Sequence, residues 1–147
     1  MGTKDGLNIY DRISFKVYSN DPDENLSLGN NYIRSLFEGK SDIMYIGTDA
    51  GLYIMYMVED KFTKLNNKTA DGMEVTSGVN SILIDDKGML WSATMNQRVF
   101  MSDTNKNILR KVKVAGLVLE PNAAWCIKSD RSGVIWVGTR LGLMRYN

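Results

Sequence analysis

Apolar residues along this chain fall in short runs separated by turn-forming clusters. The last stretch, "VIWVGTRLGLMRYN" (134–147), shows the pattern plainly, as two apolar runs hinged at a small glycine-containing turn. That is the local signal for a β-hairpin with one buried face. A relative of its second half, "GTKDGLNIYD" (2–11), stands at the other end. Between them lie "GTDAGLYIMY" and "ATMNQRVFMS", so that Thr3, Thr48, Thr94 and Thr139 stand 45, 46 and 45 residues apart. Upstream of the last three lie "IRSLFEGKSDIMYI" (33–46), "VNSILIDDKGMLWS" (79–92) and "AWCIKSDRSGVIWV" (124–137). Downstream of the first three lie "SFKVYS", "KFTKLN" and "ILRKVKV". One unit therefore predicts four consecutive antiparallel strands in about 45 residues, the repeat of a β-propeller blade.

The expected fold is all-β, with about three blades in one partial propeller spanning 1–147. A half blade is expected over about 1–30, blades over 31–78 and 79–123, and an incomplete blade over 124–147. This division predicts 13 strands. An open arc of blades would leave an apolar sheet face bare at each end, larger than the roughly 300–600 Å² of the largest patch usual on a soluble monomer. Head-to-tail association of two chains into a six-bladed ring is the expectation for this chain by itself, whereas in a longer parent protein the neighbouring blades would come from the same polypeptide and the dimer would be a product of truncation. "GLMRYN" and "GLNIYD" would then compete for one third-strand place.

Composition narrows the chemistry. The chain has 147 residues, a formal charge of +1, one cysteine and no histidine. Its lysines and arginines are scattered, which gives no electrostatic case for nucleic acid or an anionic membrane. No apolar run nears the roughly 20 residues of a membrane-spanning helix, and no signal peptide precedes the first repeat. The chain reads as a piece of something longer. An internal disulfide, a histidine-dependent triad and an ordinary zinc site are excluded. Cys126 aligns with Ser35 and Ser81, and reads as a packed core thiol. Asp85, Asp86 and Asp130 read as turn residues accepting backbone hydrogen bonds, and "DKG" and "DRSG" as hairpins rather than calcium loops. No metal or cofactor is expected. Trp91 and Trp136, in register with Tyr45, read as wedges between neighbouring blades, so Trp136→Ala would cost about 3–5 kcal/mol.

"VNSILIDDKGMLWSAT" and "CIKSDRSGVIWVGTRLGLMRYN" resemble the two-component regulator propeller repeat. The resemblance spans essentially the whole chain and is closest in the third copy. It implies the extracytoplasmic sensor region of a Bacteroides-type hybrid two-component system. Such a region would be periplasmic and non-catalytic, and would recognise a glycan-derived oligosaccharide and signal to a histidine kinase. The second unit departs from the pattern, with Ala93 for glycine, Gln97 for the turn glycine and Arg98 for the leucine seen at 7, 52 and 143.

Chain direction places the turn between strands two and three on the same face as the linkers between blades. That face gathers Lys4-Asp5, Asp49-Ala50, Met95 to Arg98, Arg140-Leu141 and linkers such as "GLVLEPNAA". It also gathers Arg34, Asn80 and Trp125, which stand equally far before their threonines. Loops on a rigid frame are the usual carriers of binding. The candidate ligand-binding residues are accordingly Arg34, Asn80, Gln97, Arg98, Trp125 and Arg140. Trp125 would stack on a sugar ring while the arginines meet a carboxylated or sulfated glycan. The competing reading packs Trp125 into a blade interface or over the linker from Pro121. At the level of function, a purely structural or interaction module and a fragment of a propeller hydrolase or lyase stay open beside the sensor.

Overall fold

The computed structural model describes residues 1–24, 26–103, 108–112 and 123–146, and among these it contains strands and turns without a helix. The described strands, in chain order, form four antiparallel sheets. β1 (Leu7–Tyr10) pairs with β2 (Phe15–Tyr18). Blade 1 comprises β3 (Ile33–Glu38), β4 (Ile43–Thr48), β5 (Gly51–Tyr56) and β6 (Lys61–Lys64). Blade 2 comprises β7 (Val79–Ile84), β8 (Met89–Thr94), β9 (Arg98–Asp103) and β10 (Ile108–Lys111). Blade 3 comprises β11 (Ala124–Ser129), β12 (Ile135–Thr139) and β13 (Gly142–Tyr146). Each sheet is an up-and-down meander, and neighbouring sheets meet mainly through their first strands, β3 on β7 and β7 on β11. The linker "GLVLEPNAA" up to Asn122, Pro121 and Lys113 lie outside the described residues.

Both faces of a blade are apolar because each is pressed between two neighbours. In β5, Tyr53 and Met55 are buried in a cluster with Leu7, Leu28, Ile33, Ile46 and Phe62. On the opposite face Leu52 and Ile54 pack, with Tyr45, against Val79, Ile82 and Leu90 of blade 2. The next interface repeats the arrangement, with Leu83, Trp91 and Val99 meeting Ala124, Ile127, Ile135 and Val137. Small residues let the backbones close: a Cβ on Gly47 would stand 2.6 Å from the Val79 carbonyl oxygen. Ser35 Oγ donates to that same carbonyl at 2.9 Å, and Ser81 Oγ accepts from the Ile127 N–H at 3.2 Å.

Threonine sets the turn between the second and third strands. Thr48 Oγ donates to the Gly51 carbonyl at 3.0 Å and accepts from the Ala50 N–H at 3.1 Å. Thr3 and Thr139 do the same with Gly6 and Gly142. The three glycines have φ of 129°, 117° and 122°, a region side chains rarely adopt.

The second unit corrects the gapless alignment. Thr94 pairs with Arg98 just as Thr48 pairs with Gly51, so this turn is one residue longer. Arg98, not Gln97, takes the glycine place, with φ of 104°. Val99, 4% exposed, fills the leucine slot, and no polar pair enters the core there.

Cys126 is also corrected. It is exposed, because Ser35 and Ser81 are covered only by the blade that follows theirs, and among the described residues nothing follows blade 3. Trp91 is the buried wedge foreseen, at 2% exposure, edge-on to Tyr146. Trp136 is only half-buried for the same reason as Cys126. Its truncation therefore removes less buried surface than a full core tryptophan would.

Candidate functional site

Arg34, Asn80 and Trp125 share a feature that the sequence alone does not display. Ile33 pairs with Thr48 but Ser35 with Gly47, which leaves Arg34 as an extra residue in the ladder. The same shift isolates Asn80 between Val79 and Ser81, and Trp125 between Ala124 and Cys126. Each is the unpaired residue of a β-bulge in the first strand of its blade, and bulges commonly re-aim a side chain beside a functional site.

Two of the three bulge side chains reach across to the next blade. The Arg34 guanidinium lies 4.9 Å from the centre of the Tyr32 ring and is ion-paired through Nε to Asp49. Its Nη1 donates to Asn80 Oδ1 at 3.3 Å. Asn80 Nδ2 in turn donates to the Ala124 carbonyl at 3.0 Å. A polar chain thus links the first strands of blades 1, 2 and 3. Trp125 ends the series at 52% exposure; the linker from Pro121, considered as its cover, lies outside the described residues.

The residue after each motif threonine adjoins the bulge of the same blade. Asp49, Met95 and Arg140 all hydrogen-bond through their backbone N–H to the residue ahead of the first strand, at Tyr32, Gly78 and Ala123. Arg140 therefore holds beside Trp125 the place Asp49 holds beside Arg34, and its side chain is exposed. Lys4, whose Nζ lies 5.5 Å from the Tyr32 ring centre, and Asp49 fall on the face the sequence predicts but, like Tyr32, are not among the candidate ligand residues. Their signal is the fixed offset from threonine, which becomes informative only when the bulge is known.

Gln97 is engaged elsewhere through three hydrogen bonds. Its Oε1 accepts from the Thr76 and Ser77 N–H groups at 2.9 and 2.8 Å, and its Nε2 donates to the Glu74 carbonyl at 3.0 Å. It straps the longer turn to the linker and leaves little capacity for a ligand. Arg98, next to it, is partly exposed in its positive-φ conformation. The structure thus joins Arg34 to Asn80, ties the Arg140 backbone to Ala123 just ahead of the strand that carries Trp125, and engages Gln97 in the framework.

The opposite ends of the blades carry a different constellation. Asp85 Oδ1 accepts from the Lys87 and Met89 N–H groups, each at 2.9 Å, while Oδ2 takes the Trp91 indole N–H at 2.8 Å. Asp130 repeats this with Ser132, Val134 and Trp136. Hydrogen bonds from the Ser132 hydroxyl and then the Trp136 indole hold the Asp130 carboxyl down at about 2. Blade 1 substitutes Gly39 and Tyr45, and a Cβ on Gly39 would stand 2.7 Å from the tyrosine ring. These turns flank open clefts of about 600 Å³ between blades 1 and 2 and about 510 Å³ between blades 2 and 3. A gap of about 30 Å³ lined by Leu52, Val79, Leu90 and Leu109 is large enough only for a water or two. Among the described residues no cluster of three or more acidic or cysteine side chains is placed to hold a metal ion.

The sheets, their meander order and their shared axis define a run of β-propeller blades. Residues 119–140 match the family described as two component regulator propeller. Two solved proteins of Bacteroides thetaiotaomicron share the fold over 99% of this chain. One is the extracellular domain of the hybrid two-component system BT3049, with a TM-score of 0.83 and 22% identity, of which the match covers 20%. The other is the extracellular domain of BT4673, described in one structure as a one-component and in another as a hybrid two-component system. Its TM-score is 0.80 and its identity 25%, with 19% of that chain covered. The chain thus spans about a fifth of the length of the solved chains it matches. No curated protein is similar enough to count as a match.

Proposed function

We propose that this chain is a recognition segment of an extracytoplasmic two-component sensor, non-catalytic in itself. It would lie in the periplasm and pass its signal to a histidine kinase. The ligand class we assign is a glycan-derived oligosaccharide, held at the bulge face by Trp125 and Arg140, with Arg98 reaching the same rim. The observation that carries this reading is the contrast within one structural slot. Arg34 and Asn80 spend their side chains on the neighbouring blade, whereas the Trp125 indole is 52% exposed near the Arg140 corner. An exposed aromatic face beside a cation suits a pyranose ring bearing an acidic group. The solved extracellular domains that share the fold, described as parts of two-component or one-component systems, support the sensor role.

A second reading, a purely structural module, is favoured by the engagement of Arg34, Asn80 and Gln97 in bonds between and within blades. Thermal-shift measurements with neutral and acidic oligosaccharides separate the two, because a ligand that binds only the native state raises the melting temperature with concentration. The expected result is a shift that Trp125→Ala and Arg140→Ala abolish while leaving the unliganded melting temperature in place. A shift unaffected by either substitution, or no shift with any oligosaccharide, refutes the assignment.

A further inference from the structure

The cleft between blades 1 and 2, at the blade ends away from the bulges, is walled by two complete four-stranded sheets of this chain. Its volume of about 600 Å³ lies in the range of small-molecule sites. Phe37, Tyr45 and Ile84 give it an apolar, largely aromatic lining. Its charged lining residues are Glu38, Asp85 and Asp86 against Lys40 alone, an excess of negative charge that draws cations into a concave surface.

One polar group in this lining lacks a partner. Tyr45 is 7% exposed, yet among the described residues its hydroxyl makes no hydrogen bond. In blades 2 and 3 the aromatic residue at the same place donates to an aspartate of its own turn, Trp91 to Asp85 and Trp136 to Asp130. Blade 1 has Gly39 where those aspartates stand, and a Cβ there would meet the Tyr45 ring at 2.7 Å. The ring thus takes the space of the missing carboxylate, and no acceptor replaces it. Every fully enclosed polar side-chain atom among the described residues has a partner, so this hydroxyl opens on the cleft it lines. Burial raises the phenol further above its usual range, which keeps it neutral, with an oxygen lone pair to offer as well as a proton.

A bare metal ion does not suit this lining, because among the described residues no three acidic side chains are placed to hold one. An ammonium group does suit it: it donates to carboxylate and phenol oxygens, while its carbon frame lies on aromatic rings. We propose that the cleft between blades 1 and 2 binds a small protonated organic amine. The carboxylates of Glu38 and Asp86 answer its charge, the Tyr45 hydroxyl accepts one of its hydrogens, and the rings of Phe37 and Tyr45 carry its carbon frame. The site lies at the opposite blade ends from Trp125 and selects the opposite charge.

Calorimetric titration at about pH 6, where amines are protonated and carboxylates ionised, tests this with glucosamine and cadaverine as probes and glucose as the neutral control. Both amines are expected to bind at least about tenfold more tightly than glucose, and more weakly as salt rises from about 20 to 200 mM. Tyr45→Phe keeps the ring and removes only the hydroxyl, and should weaken both amines about fivefold. The double change Glu38→Gln with Asp86→Asn, at exposed positions, should weaken them at least as much, and melting temperatures check that both variants fold. No binding of either amine up to about 20 mM, equal affinity for glucose, or affinities indifferent to both variants overturns the proposal.

Discussion

Removing the Asp85 carboxylate tests whether the aspartate–tryptophan pairs derive their value from burial or from the turn they close. In Asp85→Ala the Trp91 indole N–H, on a side chain 2% exposed, loses the acceptor that stood at 2.8 Å. A buried donor left unsatisfied costs about 1–3 kcal/mol, and losing the acceptor for the Lys87 and Met89 N–H groups adds about 1 kcal/mol. The expected total is about 2–4 kcal/mol. At a urea dependence of about 2 kcal/mol per molar, the unfolding midpoint should fall by about 1–2 M. The matched change, Asp130→Ala, frees the indole of Trp136, which is only half-buried and finds water instead. Its midpoint should move distinctly less. Urea titrations followed by far-ultraviolet circular dichroism, run side by side at one protein concentration, read both numbers. Equal losses in the two variants would refute the reasoning, since burial of the orphaned donor is the only difference it invokes. A double change that copies blade 1, Asp85→Gly with Trp91→Tyr, should cost less than the two single changes added together, because Tyr45 fills the place of the missing carboxylate in blade 1.

Two further outcomes follow from local geometry. Arg98→Gly should stabilise the chain by up to about 1 kcal/mol, read as a higher melting temperature, because relief of a positive-φ side chain outweighs the entropy glycine adds to the unfolded chain. Asp130 should titrate near 2 by carboxyl carbon resonance, and Ser132→Ala should move it up toward 3.8. Since its acidity is increased on folding, its contribution to stability is complete above about pH 4 and drains away as the pH falls from there through about 2.

The blades were legible because each is a local unit: strand alternation, turn glycines and the threonine repeat every 45 or 46 residues, so the period survives even where individual residues change. Thirteen strands were expected from that period, and the described residues form β1 to β13. What escaped depended on register. Aligning on Thr94 without a gap hid the extra turn residue, and only the pairing of Thr94 with Arg98 exposes it. The bulges at Arg34, Asn80 and Trp125 leave no mark in composition, because an extra residue in a ladder is a property of two strands rather than one. Cys126 departs from the core reading because a residue facing the next blade is buried only by that blade, and among the described residues none follows blade 3. The candidate site was half legible: its position at a constant offset before threonine was visible, whereas the division between bridging and free side chains was not.

The bond chain from Arg34 through Asn80 to the Ala124 carbonyl ends one residue before Trp125. The first strands of three blades are thereby laced by side chains as well as by apolar packing, so displacing any one of them breaks a polar bond along with its hydrophobic contacts.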